Sequence, residues 1–228
     1  MNKHLSYNDI ASENYYDFIL EQLIPCFDKI NISGIHFRLH LKPQFGTQEA
    51  NHRMAIREHI VFEYDKSLKF REKKSIVDLT VLPQSLSYYF SISHSAHLGG
   101  YVASNFPVGL DIELVNRVDK AILHRICSDA ELKQIDHFPE IDPQTLNTVI
   151  WSAKESCFKA LHIAKTETQP TPTPTVISDI TITLEKPLSF NETFVLPFSC
   201  ESKNPELLKV NKGFAVQVSN HICTIFFL

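Results

Sequence analysis

VGLDIELVNR, residues 108–117, sits near the middle of the chain. Val108, Leu110, Ile112 and Leu114 alternate with other residues, which is the period of a buried strand. Gly109, Asp111 and Glu113 occupy the other register. Successive strand side chains point to opposite faces, so Asp111 and Glu113 share one face, roughly 7 Å apart along it. Two carboxylates so placed repel each other unless something positive stands between them. Taken alone, an Asp-x-Glu pair suits a solvated face at least as well as a cation site. The rest of the chain has to decide.

The composition is that of an ordinary folded protein. The 228 residues are 43% hydrophobic and 21% charged, enough to bury a sizeable core. The net charge of -4 gives no global argument for nucleic-acid or membrane binding, and neither is expected as a partner. Five cysteines (Cys26, Cys127, Cys157, Cys200 and Cys223) show no CxxC and no zinc spacing, and read as reduced, mostly buried thiols. The stretch MNKHLSYNDIASENYYDF lacks an apolar signal-peptide core. No apolar run approaches the ~20 residues of a membrane span. A cytoplasmic monomer is expected.

Upstream of the opening stretch, ISGIHFRLHLK alternates as a strand, and TQEANHRMAIREHIVFEYDKSLKF changes to a helical period. Ala50, Met54, Ile60 and Val61 supply its apolar positions, and Arg53 and Arg57 stand four apart. The basic residues Lys66, Lys69, Arg71, Lys73 and Lys74 read as a solvated face or loop. LSYYFSISHS is a strand, and GGYVASNFPVGLDIELV reads as two strands joined by a turn at Asn105-Phe106-Pro107. Downstream, VDKAILHRICSDAELKQI and PQTLNTVIWSAKESCFKALHIA are helical, with Pro143 suiting a helix start. KTETQPTPTPTVISD reads as an exposed, extended loop. ITITLE, FVLPFS, GFAVQV and HICTIFFL are strand-like. The pattern is α+β, with strands and helices in both halves and no internal sequence repeat.

The helical stretch IWSAKESCFKAL changes the weight of Asp111 and Glu113. Trp151, Glu155 and Lys159 are four apart and share one helix face, with Lys154 and Phe158 flanking it. An exposed Glu155–Lys159 pair is worth only a few tenths of a kcal/mol. A tryptophan on the same stripe argues that this face packs inward, where charges need partners. If it meets the strand, Asp111, Glu113 and Glu155 converge. Three oxygen donors with open positions suit a magnesium ion bridging a substrate phosphate, and Lys159 would stabilise phosphate charge. In FSISHSAHLGG, Ser93, His94 and Ser95 end a strand, where hydroxyls, an imidazole and backbone N–H groups can grip a phosphate. His94 alone serves equally as a structural histidine. His97, His124 and His162 read as structural or exposed.

SISHS (91–95), VGLDIE (108–113) and WSAKESCFK (151–159), in this order, resemble the three signature segments of 4'-phosphopantetheinyl transferases. The resemblance is to the larger, surfactin-synthetase-activating type. The family's (I/V)G(I/V)D(I/V)E and WxxKExxxK patterns are met residue by residue, except for Leu110. NHRMAIREHI is similar to its Arg-bearing N-terminal helix, and GFAVQVSN to a late strand. The resemblance implies two similar α/β halves in one chain, related by a pseudo-twofold, with the active site between them. Residues 1–105 would then carry coenzyme A contacts, and residues 106–228 the magnesium and catalytic residues.

The implied enzyme is a holo-[acyl-carrier-protein] synthase. It moves the 4'-phosphopantetheine of coenzyme A to a serine of an acyl or peptidyl carrier protein, with magnesium, and releases adenosine 3',5'-bisphosphate. By the same resemblance Asp111, Glu113 and Glu155 are metal ligands, and Glu155, Lys159 and Asp111 are catalytic, with Glu155 the best candidate for the base. Arg53, Ser93, His94 and Lys159 match coenzyme A contacts, while Arg57, Lys73 and Lys74 are further basic candidates. Carriers of fatty-acid, polyketide and nonribosomal-peptide synthesis all remain open. Beyond Lys159 the family carries a glycine-containing loop. Here Ala164 leads into KTETQPTPTPTV with no glycine, and Thr166–Thr175 reads as a surface insertion or a flap that screens carriers. Two alternatives differ in their marks. Another magnesium-dependent phosphoester enzyme would show a second metal cluster or basic groove, and a non-catalytic coenzyme A or carrier-binding protein would show lost carboxylates.

Overall fold

The computed structural model describes residues 36–41, 56–57, 60, 89–96, 98–163, 176–190, 193–202 and 212–228. Arg53, Lys73, Lys74, His97, Cys26 and the threonine-proline stretch 166–175 lie outside them. The strands are β1 (His36–Leu41), β2 (Tyr89–Ser95), β3 (Leu98–Ser104) and β4 (Val108–Leu114), followed after the helices by five more. These are β5 (Ile180–Leu184), β6 (Leu188–Phe190), β7 (Thr193–Ser202), β8 (Lys212–Val218) and β9 (His221–Phe227). Between them stand α1 (Lys120–Ile126), α2 (Asp129–Lys133) and α3 (Pro143–Ile163). The architecture is α+β. A three-stranded sheet has the order β1-β3-β2, and a six-stranded sheet runs β4-β9-β8-β7-β5 with β6 on β7, every pairing antiparallel. The expected likeness of two halves falls largely on residues outside those described.

One sequence expectation needs correction, and two further features go beyond what the sequence reading gave. β3 and β4 are successive strands as expected, yet they part into different sheets across the bend at Asn105 and Phe106. The stretch read as helical from Val118 is two short helices, broken at Cys127, whose backbone is extended. Asp119 caps α1, and Ser128 and Glu131 form a reciprocal capping box at α2, so a second helix start interrupts the first. β6 went unnoticed in the sequence. α3 begins at Pro143 as expected, because proline lacks only a donor that a first helical residue does not use.

The main core lies between α3 and the six-stranded sheet, where Leu146, Val149, Ala153, Cys157 and Ala160 meet Ile182, Phe198, Ile222 and Phe226. A smaller core joins Ile56 and Ile60, one helical turn apart, to Phe90, Tyr101 and Ala103 of β2 and β3. Of the apolar positions read for that helix, Ile60 is in this core, with Ile56 beside it. Cys157, Cys200 and Cys223 are buried thiols and Cys127 a half-buried one, none of them in a disulfide. Burial pushes the Cys127 thiol up to about 11. Among the described residues no helix is long and apolar enough to cross a membrane.

α3 crosses β4 in the opposite sense, and the two periods match. Two strand residues advance about 6.7 Å and four helical residues about 6 Å, so successive turns of α3 meet alternate residues of β4. Gly109 lies under Ser156 and Ala160, Asp111 meets Ser152, Glu113 meets Trp151, and the Val115 carbonyl accepts from Thr148. Gly109 is the residue that lets the helix descend onto the strand.

Candidate active site

β2 is divided by its own alternation. Phe90 and Ile92 belong to the smaller core, while Ser91, Ser93 and Ser95 are buried on the other face. That serine face abuts β4, the end strand of the larger sheet. Ser91 Oγ accepts the Leu110 N–H at 2.9 Å and Ser93 Oγ accepts that of Ile112 at 3.1 Å. Both strands advance by two residues in the same sense, so the bonds repeat. An edge N–H buried without a partner is costly, and the serines supply what a neighbouring strand would.

Asp111 is the hub, only 4% exposed. Its Oδ1 accepts from Lys159 Nζ at 2.8 Å and from Ser93 Oγ at 3.2 Å, and its Oδ2 accepts from Ser152 Oγ at 2.8 Å. Lys159 Nζ also donates to the Leu110 carbonyl at 2.9 Å and to Ser93 Oγ at 3.2 Å, which uses all three ammonium donors. Glu113 takes Arg117 on Oε2 at 2.9 Å, with the Trp151 indole N–H at 3.4 Å on Oε1. Ser95 Oγ stands 3.5 Å from the same Oε2. The positive charges beside the strand-face pair are therefore Lys159 at Asp111 and Arg117 at Glu113.

Glu155, half-buried on the same helix stripe, completes the acidic group. Burial first, then the negative charge of Asp111, push its carboxyl above the ordinary 4.5, against the pull of Lys159. Glu113 is raised for the same two reasons, opposed by Arg117, the Trp151 N–H and Lys159. Asp111 thus disfavours the charge on both neighbours, the condition that a divalent cation relieves. Among the described residues no group of three histidines, cysteines, aspartates or glutamates stands close enough to hold a metal as arranged. The donor set nevertheless has the chemistry of a magnesium site, carboxylate oxygens alone.

The other expected residues are distributed as follows. Ser93 faces Asp111 and Lys159, with its hydroxyl occupied by them and by Ile112. His94 is half-buried on the opposite face of β2. Arg53 lies outside the described residues. Lys154, flanking the stripe as expected, points away from the acidic group. It turns about 100° away from Glu155 around the helix, is fully buried, and pairs with Glu131 at 2.7 Å while donating to the Ile180 carbonyl. His162 is exposed, with its ring against Phe158, and His124 is exposed.

Arg117, Ser152 and Thr224 escaped the sequence reading of the site. Ser152 and Thr224 are both fully buried, 2.9 Å apart through their hydroxyls, and Thr224 is the cross-strand partner of Asp111. The available signal was a single threonine in the apolar run HICTIFFL, since a buried hydroxyl needs a partner. No curated protein matches the chain. Residues 107–208, which include Asp111, Glu113, Glu155 and Lys159, match the family model described as the 4'-phosphopantetheinyl transferase superfamily, and this match supports that family for the segment.

Proposed function

We propose that the chain transfers 4'-phosphopantetheine from coenzyme A to a serine of an acyl or peptidyl carrier protein, with magnesium, as a transferase of the larger, two-halved type. The observation that carries this reading is the approach of α3 onto β4 at Gly109, which assembles Asp111, Glu155 and Lys159 within a segment matching that superfamily. Asp111, Glu113 and Glu155 would hold the magnesium. Bound there, it draws charge from the pyrophosphate and makes the bisphosphate a better leaving group.

The chain's own residues supply the rest. Lys159 is partly exposed and places a fixed positive charge beside the phosphate that is transferred. A serine hydroxyl is too weakly acidic to attack unaided. Glu155, whose proton affinity is raised by burial and by Asp111, takes its proton as the serine oxygen bonds to phosphorus and the bisphosphate leaves. His94 and Arg53 are assigned to the coenzyme A phosphates, and Ser93 joins them only by turning its proton away from Asp111. Docking the carrier serine in line with the phosphorus is the remaining contribution.

The test is incubation of the full chain with coenzyme A, magnesium and candidate carriers, followed by mass spectrometry of the carriers. A gain of one phosphopantetheine on a single serine is expected. Failure with fatty-acid, polyketide and nonribosomal-peptide carriers alike rejects the reading.

A further inference from the structure

We infer that Ser152, backed by Thr224, is a positioning residue that aims the Asp111 carboxylate at its cation. The inference rests on the magnesium-dependent reading above and concerns two residues that take no direct part in it. Asp111 has two oxygens with different surroundings. Oδ1 faces the cationic side, where Lys159 and Ser93 donate to it, while Oδ2 receives Ser152 Oγ at 2.8 Å.

Counting protons shows what this arrangement requires. Ser152 and Thr224 have one hydroxyl proton each, and three contacts to fill with them. An ionised carboxylate only accepts, so the Ser152 proton goes to Asp111 Oδ2. The Thr224 proton is then left for the Ser152 carbonyl at 2.8 Å, or for Ser152 Oγ at 2.9 Å. Either way Thr224 is tied to α3 through Ser152, and with its proton on Ser152 Oγ it also holds the hydroxyl that donates to Asp111. Helix and strand together fix the rotation of the carboxylate between them. Both hydroxyls are fully buried, so water does not compete for these bonds. Lys159 and Ser93 hold Oδ1 and Ser152 holds Oδ2, so without Ser152 the carboxylate is left to pivot about Oδ1 and its orientation must be fixed when the cation arrives. That ordering weakens binding.

The test uses Mn2+ alone as the probe, titrated into the full chain without substrate and read by electron paramagnetic resonance. Ser152→Ala should weaken Mn2+ binding by about ten- to a hundred-fold, the usual effect of removing a hydrogen bond behind a metal ligand. Thr224→Val keeps the shape and removes the hydroxyl, so a smaller loss in the same direction is expected, and Thr224→Ser should restore the affinity. In transfer assays Ser152→Ala should raise the half-saturating magnesium concentration while kcat at saturating magnesium falls far less. Unchanged Mn2+ affinity in folded Ser152→Ala overturns the inference, as does a wild type that binds no Mn2+. Should Ser152→Ala fail to fold, the Thr224 pair decides: equal affinity in Val and Ser overturns it. A wild type that binds Mn2+ yet modifies no carrier rejects the transferase reading instead, and the Mn2+ comparison still decides Ser152.

Discussion

Gly109 and Ser156 meet backbone to backbone: a Cβ built on Gly109 would overlap the Ser156 carbonyl oxygen and stand 2.8 Å from its carbonyl carbon. The same atom would lie 2.9 Å from the Ala160 nitrogen, so a helix backbone, not a movable side chain, closes the space. Gly109→Ala should therefore push α3 off β4. Overpacking typically costs 1–3 kcal/mol, and with rigid backbone on both sides about 3 kcal/mol is expected. Urea unfolding reads the stability loss. Transfer should fall further than stability, because Asp111 and Lys159 stand on the two elements being separated.

Asp111→Asn keeps the size of the hub and removes its charge. Lys159 then loses its anionic partner, and one of the proposed carboxylate ligands is gone. Transfer at limiting magnesium should fall by several kcal/mol of transition-state stabilisation, more than a hundred-fold. Circular dichroism should remain that of the wild type. Unchanged turnover in a folded variant would remove Asp111 from the cation site.

Glu155 makes stability depend on pH in a direction that can be worked out. Its folded carboxyl is raised above the ordinary 4.5, so over the interval between the two values the native state binds more protons than the unfolded one. Unfolding free energy therefore falls as pH rises through that interval, and the stability present below 4.5 is lost above the raised value. Glu113 adds in the same direction. Glu155→Gln should flatten this part of the profile and raise Tm at neutral pH when no divalent cation is added. On the proposed mechanism the same substitution removes the base, so transfer should drop about a hundred-fold or more. A Tm that falls at neutral pH would contradict the account.

Lys154 and Glu131 are a buried pair, 0% and 3% exposed, outside the acidic group. Glu131 also accepts from Ser128 and from the Ile182 N–H, while Lys154 donates to the Ile180 carbonyl. Together they cap the free edge of β5 and fasten it to α2 and α3. Lys154→Met fills the volume but leaves Glu131 buried without its cation, so a loss of about 3 kcal/mol is expected in thermal or urea unfolding. Transfer per folded molecule should fall much less than for Asp111→Asn.

The strand pair and the helix stripe were legible because each obeys the period of its own element. Asp111 and Glu113 are two apart on a strand, and Trp151, Glu155 and Lys159 four apart on a helix. That the two faces meet was foreshadowed by Trp151 and made possible by Gly109. Lys154 shows the limit of such reasoning. Its neighbour in sequence belongs to the acidic group, but only the packing of α2 shows that it has another partner. The capping box of Ser128 and Glu131 was present in the sequence and was passed over inside an apparently continuous helical pattern. Ser152 and Thr224 are 72 positions apart, and no local period reports a hydroxyl pair made across a fold. The separation of β3 from β4 is likewise set by long-range packing rather than by residues 105–107.

The serine face of β2 has a consequence for motion. Leu110 and Ile112 give their N–H groups to hydroxyls, whereas by strand alternation Asp111 and Glu113 give theirs to β9. Among the described residues the bonds between β2 and the larger sheet all involve a side chain, so the two sheets can part along β2 and β4 without breaking a backbone ladder bond. Local openings cost less than global unfolding when so little cooperative structure is lost. In deuterium exchange, the Leu110 and Ile112 amides should lose protection together and ahead of Asp111 and Glu113. Lys159 and Ser93, which bridge this line through Asp111, would then act as its latch, so whatever draws Lys159 toward a phosphate also loosens the join between the sheets.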